Sequence, residues 1–349
     1  MGQARRPDPR RPARRGHDPA GDRRARPGGR GEGRGGRADD HLVLPLGGVL
    51  RGGPQGPVPA GPPRHVLGGR RAVQQVTTNG VTLAVREWPG PEPAIVAVHG
   101  LTSNHTVWTA LADALAGRHR LLAYDLRGRG DSAKPAKGYS LAEHAADLSG
   151  LLDHFGLARA IVAGHSLGAH IGVRFATLYP ERVARLVLVD GGLDVRAEIM
   201  DSLAPAIGRL GVEFPSLEAF LGMLRGLPMF AGRWNDYLAQ HYTYDVEPGP
   251  GGGVRSKVAR HAIEEEVANL QRTRLWVWHH RIQAPTLLLR APDGLLTATD
   301  CLMTQEEAEA MAHAIPRCTL VVVPGTNHYT IVLGDNPVVT RALTAFLAA

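Results

Sequence analysis

Short apolar runs alternating with amphipathic segments predict an α/β fold: a mostly parallel central sheet flanked by helices, with an inserted helical lid. Three observations carry that expectation. Runs such as Ala94–Val98, Leu121–Tyr124, Leu186–Val189 and, after its first residue, Thr286–Leu289 are apolar, as strands covered on both faces are expected to be. The run Ala160–Ala163 passes through Gly164-His165-Ser166-Leu167-Gly168 straight into a helical pattern. Residues 194–284 break the alternation with helical texture and no strong strand.

The elements follow in order. Residues 1–71 are dominated by Arg, Pro and Gly, with almost no apolar periodicity. Such a stretch buries too little surface to offset chain entropy, so a disordered tail is expected. His41 to Leu50 is too short and too far along the chain for a usual signal peptide. From Ala72 the texture changes. Val76 to Trp88 reads as a hairpin turning at Asn79-Gly80. Val107–Leu115 reads as a helix. Leu141 to Phe155 is a helix with apolar positions 141, 145, 148, 152 and 155, opened by a capping box from Ser140 and Glu143. Leu167–Leu178 follows the serine, with Gly168, Ala169 and Gly172 small enough to pack closely on a sheet. After the insertion come strands at Thr286–Leu289 and Thr319–Val323, a helix from the Thr304/Glu307 box to Ile315, and a closing helix at Val338–Leu347. The expected core is therefore 72–193 plus 285–349, with 194–284 as the lid.

Charge excludes some partners. The net +7 comes from the tail: residues 1–72 hold 16 arginines against 6 acidic residues, and the remainder 24 basic against 27 acidic. No aromatics interleave the tail's arginines, which argues against single-strand nucleic-acid binding. No apolar run approaches 18 residues, so no membrane span is expected. Cys301 and Cys318 cannot form a disulfide framework, and a cytoplasmic protein with two thiols is expected. His279 and His280 are adjacent and diverge on a helix, and neither His-X-X-X-His nor Cys-X-X-Cys occurs, so no metal and no cofactor are expected.

The chemistry lies at the Gly-X-Ser-X-Gly turn. A serine at the tip of a sharp strand-to-helix turn projects its hydroxyl outward, and the helix N-terminus behind it offers N–H groups to developing negative charge. A hydroxyl is a poor nucleophile until a base takes its proton. His328 follows the last strand in Pro324-Gly325-Thr326-Asn327-His328-Tyr329, at the same sheet edge as Ser166. The strand ending in His99-Gly100 suits a loop that turns the Leu101 N–H toward a substrate carbonyl, with the Leu167 N–H as the second donor. His99 reads chiefly as a brace for that loop.

Five segments in this order, over about residues 76–349, resemble the α/β-hydrolase family with a helical cap: His99-Gly100; Asp125-Leu126-Arg127-Gly128-Arg129-Gly130-Asp131-Ser132; Gly164-His165-Ser166-Leu167-Gly168; Pro285 to Arg290; and Gly325-Thr326-Asn327-His328. The resemblance implies Ser166 as nucleophile and His328 as base. It places the acid in the loop after strand 286–290, which here reads Ala291-Pro292-Asp293-Gly294. Asp293 is the first choice, one residue early in the family pattern. Asp190, after strand 186–189, is the rival, and Asp300 a third option. Asp125 or Asp131 is expected to brace its loop by pairing with Arg127.

These readings converge on a serine hydrolase cleaving an ester or related acyl bond of a small, largely apolar substrate. His99, Gly100, Trp234 and Tyr329 are candidate substrate contacts. Residues 194–284 carry half of the 18 aromatics, for a lid core or an apolar pocket. Carbon–carbon bond hydrolysis, lactone hydrolysis and cofactor-free haloperoxidase activity are alternatives within the family. A non-catalytic small-molecule binding protein is the alternative of another class. Removing residues 1–71 is expected to leave both solubility and activity unchanged. A truncated protein that aggregates or loses activity relative to the full chain refutes the dispensable tail.

Overall fold

The computed structural model describes residues 72–349. The expected tail, 1–71, lies outside the described residues. The described residues begin with β1 (Gln74–Thr78) and β2 (Val81–Trp88), an antiparallel pair turned by Asn79 and Gly80, both at positive φ. Asn and Gly tolerate that conformation, and its twist matches the flanking strands. There follow β3 (Ile95–Val98), α1 (Thr109–Leu115), β4 (Leu121–Tyr124), α2 (Leu141–His154), β5 (Ala160–His165), α3 (Leu167–Leu178) and β6 (Val183–Val189). The box of Ser140 and Glu143 caps α2 as the sequence requires.

Next comes an insert: α4 (Ala197–Gly208), β7 (Glu213–Phe214), α5 (Leu217–Arg225), α6 (Asp236–Tyr244), β8 (Val246–Pro248), β9 (Val254–Ser256), α7 (Arg260–Arg272) and α8 (Trp276–His279). It is not purely helical. β7, β9 and β8 form a small antiparallel sheet. The Gly-Pro-rich stretch 248–253 joins two of these strands. The Glu213 carboxylate accepts the Gly251 and Gly253 N–H groups at 3.1 and 2.9 Å. The main chain then returns to the central sheet with β10 (Thr286–Arg290), α9 (Gln305–Ala314), β11 (Cys318–Val322) and α10 (Pro337–Ala348).

The central sheet runs β1-β2-β4-β3-β5-β6-β10-β11, parallel from β4 onward. Side chains alternate between its two faces. Val96, Val98, Val162, Leu186 and Leu188 enter one core with α2 and α3, while Ile95, Ala97, Ile161, Val187 and Val189 enter the other. The second core continues into the insert through Phe220, Phe230 and Tyr242, so these aromatics are packing residues first. No described helix is long and apolar enough to cross a membrane, and both cysteines are free thiols.

The turn from β5 into α3 is packed against backbone on both sides. A Cβ on Gly164 would lie 2.1 Å from the Gly168 carbonyl oxygen, and one on Gly168 would lie 2.0 Å from that of Val98. Backbone atoms cannot yield as a flexible side chain does. Gly164→Ala is therefore expected to destabilise by about 1–3 kcal/mol, as overpacking does. Gly222→Ala, mid-helix with nothing within 4 Å, is expected to stabilise by about 0.5–1 kcal/mol. Thermal unfolding of the two variants checks both signs. A neutral Gly164→Ala refutes the close packing.

Candidate active site

Ser166 stands at φ 56°, ψ −118°, a region that non-glycine residues occupy only when their surroundings hold them there. Its N–H donates to Val189 O at 3.0 Å, and its carbonyl accepts from Ala169 N–H at 2.9 Å and from His170 Nδ1 at 2.8 Å. The side chain leaves this pinned backbone at the N-terminus of α3.

His328 lies in the loop after β11. Its Nδ1 donates to Asp190 Oδ2 at 2.8 Å, and both residues are buried. The other Asp190 oxygen accepts the Ala291 N–H at 3.0 Å. The carboxylate therefore fixes the imidazole tautomer, leaving the lone pair on Nε2. The His328 backbone carbonyl accepts from His165 Nε2 at 2.8 Å, so the residue preceding the serine also holds the histidine loop. Ser166 and His328 open on one cavity.

Asp293, the first choice from sequence, is not at His328. Its backbone N–H bonds Thr326 O at 3.0 Å, but its carboxylate turns out to Arg233 at 2.8 Å. The guanidinium of Arg233 claims it, and the acid facing His328 is the rival, Asp190. Asp300 is likewise occupied, accepting the N–H groups of Leu295, Leu296 and Thr297 and the Ser202 hydroxyl. Burial would raise its carboxyl, but those donors hold it below the usual range. The expected Arg127 partner is also corrected. Arg127 forks onto Asp147 at 2.6 and 2.7 Å, whereas Asp125 takes His105 and Asp131 takes Lys257.

Two chambers meet at Ser166. The larger is walled mainly by apolar side chains including Leu101, Leu167, Ile199, Val267, Leu270 and Met303. The smaller takes in Gly100, Leu101, His165, His241, Tyr329 and His328. Gly100 and Tyr329, candidate contacts from sequence, line this chamber. Trp234 does not line either chamber: it stacks on Tyr242, with ring centroids 6.2 Å apart, under the Arg225 guanidinium.

His99 is also not a wall residue. Its Nε2 accepts the Leu126 N–H at 2.9 Å, which obliges Nδ1 to carry the proton and donate to Gly100 O at 2.8 Å. A trans peptide points its C=O and N–H in opposite directions. Anchoring the Gly100 carbonyl on one side therefore aims the Leu101 N–H to the other.

Sequence reasoning missed how many buried histidines serve this region as neutral rings. Burial lowers His99 and His241 to about 3, His170 to about 4, and His165 well below its ordinary value, the last helped by the neighbouring His328. The unfolded chain protonates these rings near pH 6.5 and the folded chain does not, so the unfolded state binds more protons below that pH. Their stabilisation is complete above about pH 6.5 and falls as pH drops toward the folded values, by about 1.4 kcal/mol per pH unit for each ring. Urea unfolding at pH 7.5, 6.5 and 5.5 is expected to show a steep loss of stability. A flat profile across this window refutes the neutral rings.

The match to a family model described as the alpha/beta hydrolase fold spans residues 93–210. A 2-(acetamidomethylene)succinate hydrolase from Mesorhizobium japonicum is 30% identical over 79% of this chain and 95% of its own length. A crystal structure of an E-2-(acetamidomethylene)succinate hydrolase superposes with TM-score 0.69 at 28% identity, covering 80% of this chain and 99% of that one. An alpha/beta hydrolase from Novosphingobium aromaticivorans superposes with TM-score 0.67 at 25% identity, over 79% of this chain and 98% of the other. With the parallel sheet, the serine turn and the order of motifs already in place, the chain belongs to the α/β-hydrolase family.

Proposed function

We propose that this protein is a serine hydrolase cleaving an ester or related acyl bond of a small, largely apolar substrate, with residues 194–284 as its cap. The observation that carries the reading is the Asp190–His328 hydrogen bond at 2.8 Å, beside a serine held at positive φ in the wall of an apolar chamber. Ser166 Oγ attacks the acyl carbon while His328 Nε2 takes its proton. The Leu101 and Leu167 N–H groups stabilise the oxyanion, and Asp190 stabilises the imidazolium. His328 then protonates the leaving group. A water molecule, deprotonated by His328, releases the acid and restores Ser166.

The larger chamber supports an apolar acyl group. Its charged wall residues are already engaged: Arg196 donates to Cys301 O at 2.9 Å and pairs with Glu307 at 3.2 Å, while Asp194 accepts the Leu275 N–H. An uncharged acyl chain displaces none of these partners. In the same wall, buried Arg196 Nε has no hydrogen-bond partner beyond its ion pair and His170 Nε2 has none, so they offer a polar substituent a place to bind, as on the succinate derivative named for the Mesorhizobium relative.

Fluorophosphonate labelling read by intact mass tests the reading. Wild type is expected to label once, and Ser166→Ala not at all. Asp190→Asn presents an amide in place of the orienting carboxylate and is expected to slow labelling by about 10²–10⁴-fold, as loss of a triad acid does. Asp293→Asn is expected to stay within about threefold of wild type, as befits a half-exposed pair with Arg233. Folded wild type that fails to label removes the hydrolase reading and leaves a small-molecule binding protein. A slow Asp293→Asn with a normal Asp190→Asn reverses the assignment of the acid.

A further inference from the structure

Three consecutive carbonyls beside Ser166 are each held by a different buried side chain. His99 Nδ1 holds Gly100 O at 2.8 Å, Arg129 Nε holds Leu101 O at 3.0 Å, and Arg209 Nη2 holds Thr102 O at 2.8 Å. Only His99 adjoins the strand that delivers the loop, directly after β3. Arg129 has no solvent-exposed side-chain surface and donates from Nη1 to Arg127 O and from Nη2 to Glu266 on α7. The second Glu266 oxygen faces His144 on α2. Arg209 belongs to the insert, where its Nη1 donates to Asp245 at 2.7 Å and to Ser256 at 2.9 Å. The loop's apolar side has the same attachment: Leu101 packs against the insert's cluster of Leu210, Val258 and Ile263.

We propose that Arg129 and Arg209 are positioning residues that suspend the 100–102 loop from the cap, so that the Leu101 N–H is aimed at the oxyanion only while the cap is seated. This rests on the serine-hydrolase reading above. The physical reason is directional. A guanidinium presents donors in a fixed planar fork, so one arginine ties a carbonyl and a carboxylate at a set spacing. With Gly100 O, Leu101 O and Thr102 O all drawn away by donors, the intervening peptide planes have little freedom to rotate. Were α7 or the segment 245–256 to lift, Arg129 and Arg209 would follow their carboxylates or lose them. Either outcome frees the loop without touching Ser166, His328 or Asp190. Substrate that fills the larger chamber contacts Val267 and Leu270 on α7, the helix that carries Glu266. Occupancy of the chamber by the acyl group thus holds the oxyanion donor in place.

The test uses two double variants that leave no buried carboxylate without its cation: Arg129→Met with Glu266→Gln, and Arg209→Met with Asp245→Asn. On folded protein, each is expected to lower kcat for p-nitrophenyl butyrate by about 10–100-fold, somewhat less than outright removal of an oxyanion donor. KM is expected to change less than threefold. The inhibition constant for butylboronic acid, whose serine adduct is tetrahedral and anionic, is expected to rise in parallel with the fall in kcat. A merely structural role lowers thermal stability but leaves kcat and boronate affinity of the folded fraction intact, and that result overturns the proposal. Should the doubles not fold, Arg129→Lys and Arg209→Lys are read the same way, with smaller losses expected because one ammonium cannot span both partners. If wild type neither labels with fluorophosphonate nor binds boronate, the hydrolase reading fails on its own. Hydrogen exchange then decides the clamp: amides 100–103 exchanging at least tenfold faster in the variants support it, and unchanged exchange overturns it.

Discussion

The backbone of Ser166 is the constraint on which the rest depends. Positive φ at a serine is unfavourable by itself and persists because every neighbour forbids relaxation. The serine N–H is tied to β6, its carbonyl to α3 and His170, and Gly164 and Gly168 close on each other and on Val98 with no room for a Cβ. Gly191 crowds it from the other side, where a Cβ would stand 2.9 Å from the serine Cα. Three parallel strands, β3, β5 and β6, thus converge on one residue. The apolar cores on both faces of the sheet give those strands their rigidity, and the turn transmits it to a single hydroxyl.

Around that point many polar side chains are deeply buried and hydrogen-bonded, although single atoms such as His165 Nδ1, His170 Nε2 and Asp245 Oδ1 have no partner. Asp125 accepts from the His105 N–H and imidazole, from the Asp131 N–H and from Tyr244, and Arg127, Arg129 and Arg209 each satisfy a carboxylate and at least one carbonyl. Taking such groups out of water is costly, and removing one partner of a buried pair typically costs about 3–5 kcal/mol. The return is geometric. Each arginine fixes a loop that would otherwise be free, and each ties a segment of the core to a segment of the insert or to α2. Loops gain rigidity here through side-chain donors because they have no sheet ladder to bond to.

Much of this was legible in the sequence because it depends on local chemistry. Asn79-Gly80, the capping boxes at Ser140 and Thr304, the apolar strands and the Gly164–Gly168 turn are each decided within a few residues. The insert's small sheet was not legible, since β7, β8 and β9 are two or three residues long and set no period. Nor were the partners of Arg129 and Glu266, 137 residues apart in the chain. Trp234 illustrates the same limit. An aromatic in an insert reads equally well as a pocket wall or as packing, and only its stacking on Tyr242 decides between them.

The choice between Asp190 and Asp293 turns on sheet order, which no local pattern encodes. β6 lies beside β5, while β10 lies one strand further out and β11 two. At about 4.8 Å per strand, His328 must reach back about 14 Å from the end of β11 to face the serine on β5. A loop extended that far needs anchors near its target. Asp190 and His165 supply them, one on the imidazole and one on the backbone carbonyl, from the ends of β6 and β5. Asp293, on the loop after β10, meets the histidine loop earlier in its path and pairs with its backbone at Thr326, leaving its carboxylate free to turn outward to Arg233. In this chain the near-strand carboxylate of Asp190 holds the His328 imidazole, while Asp293 anchors the same loop only through its backbone.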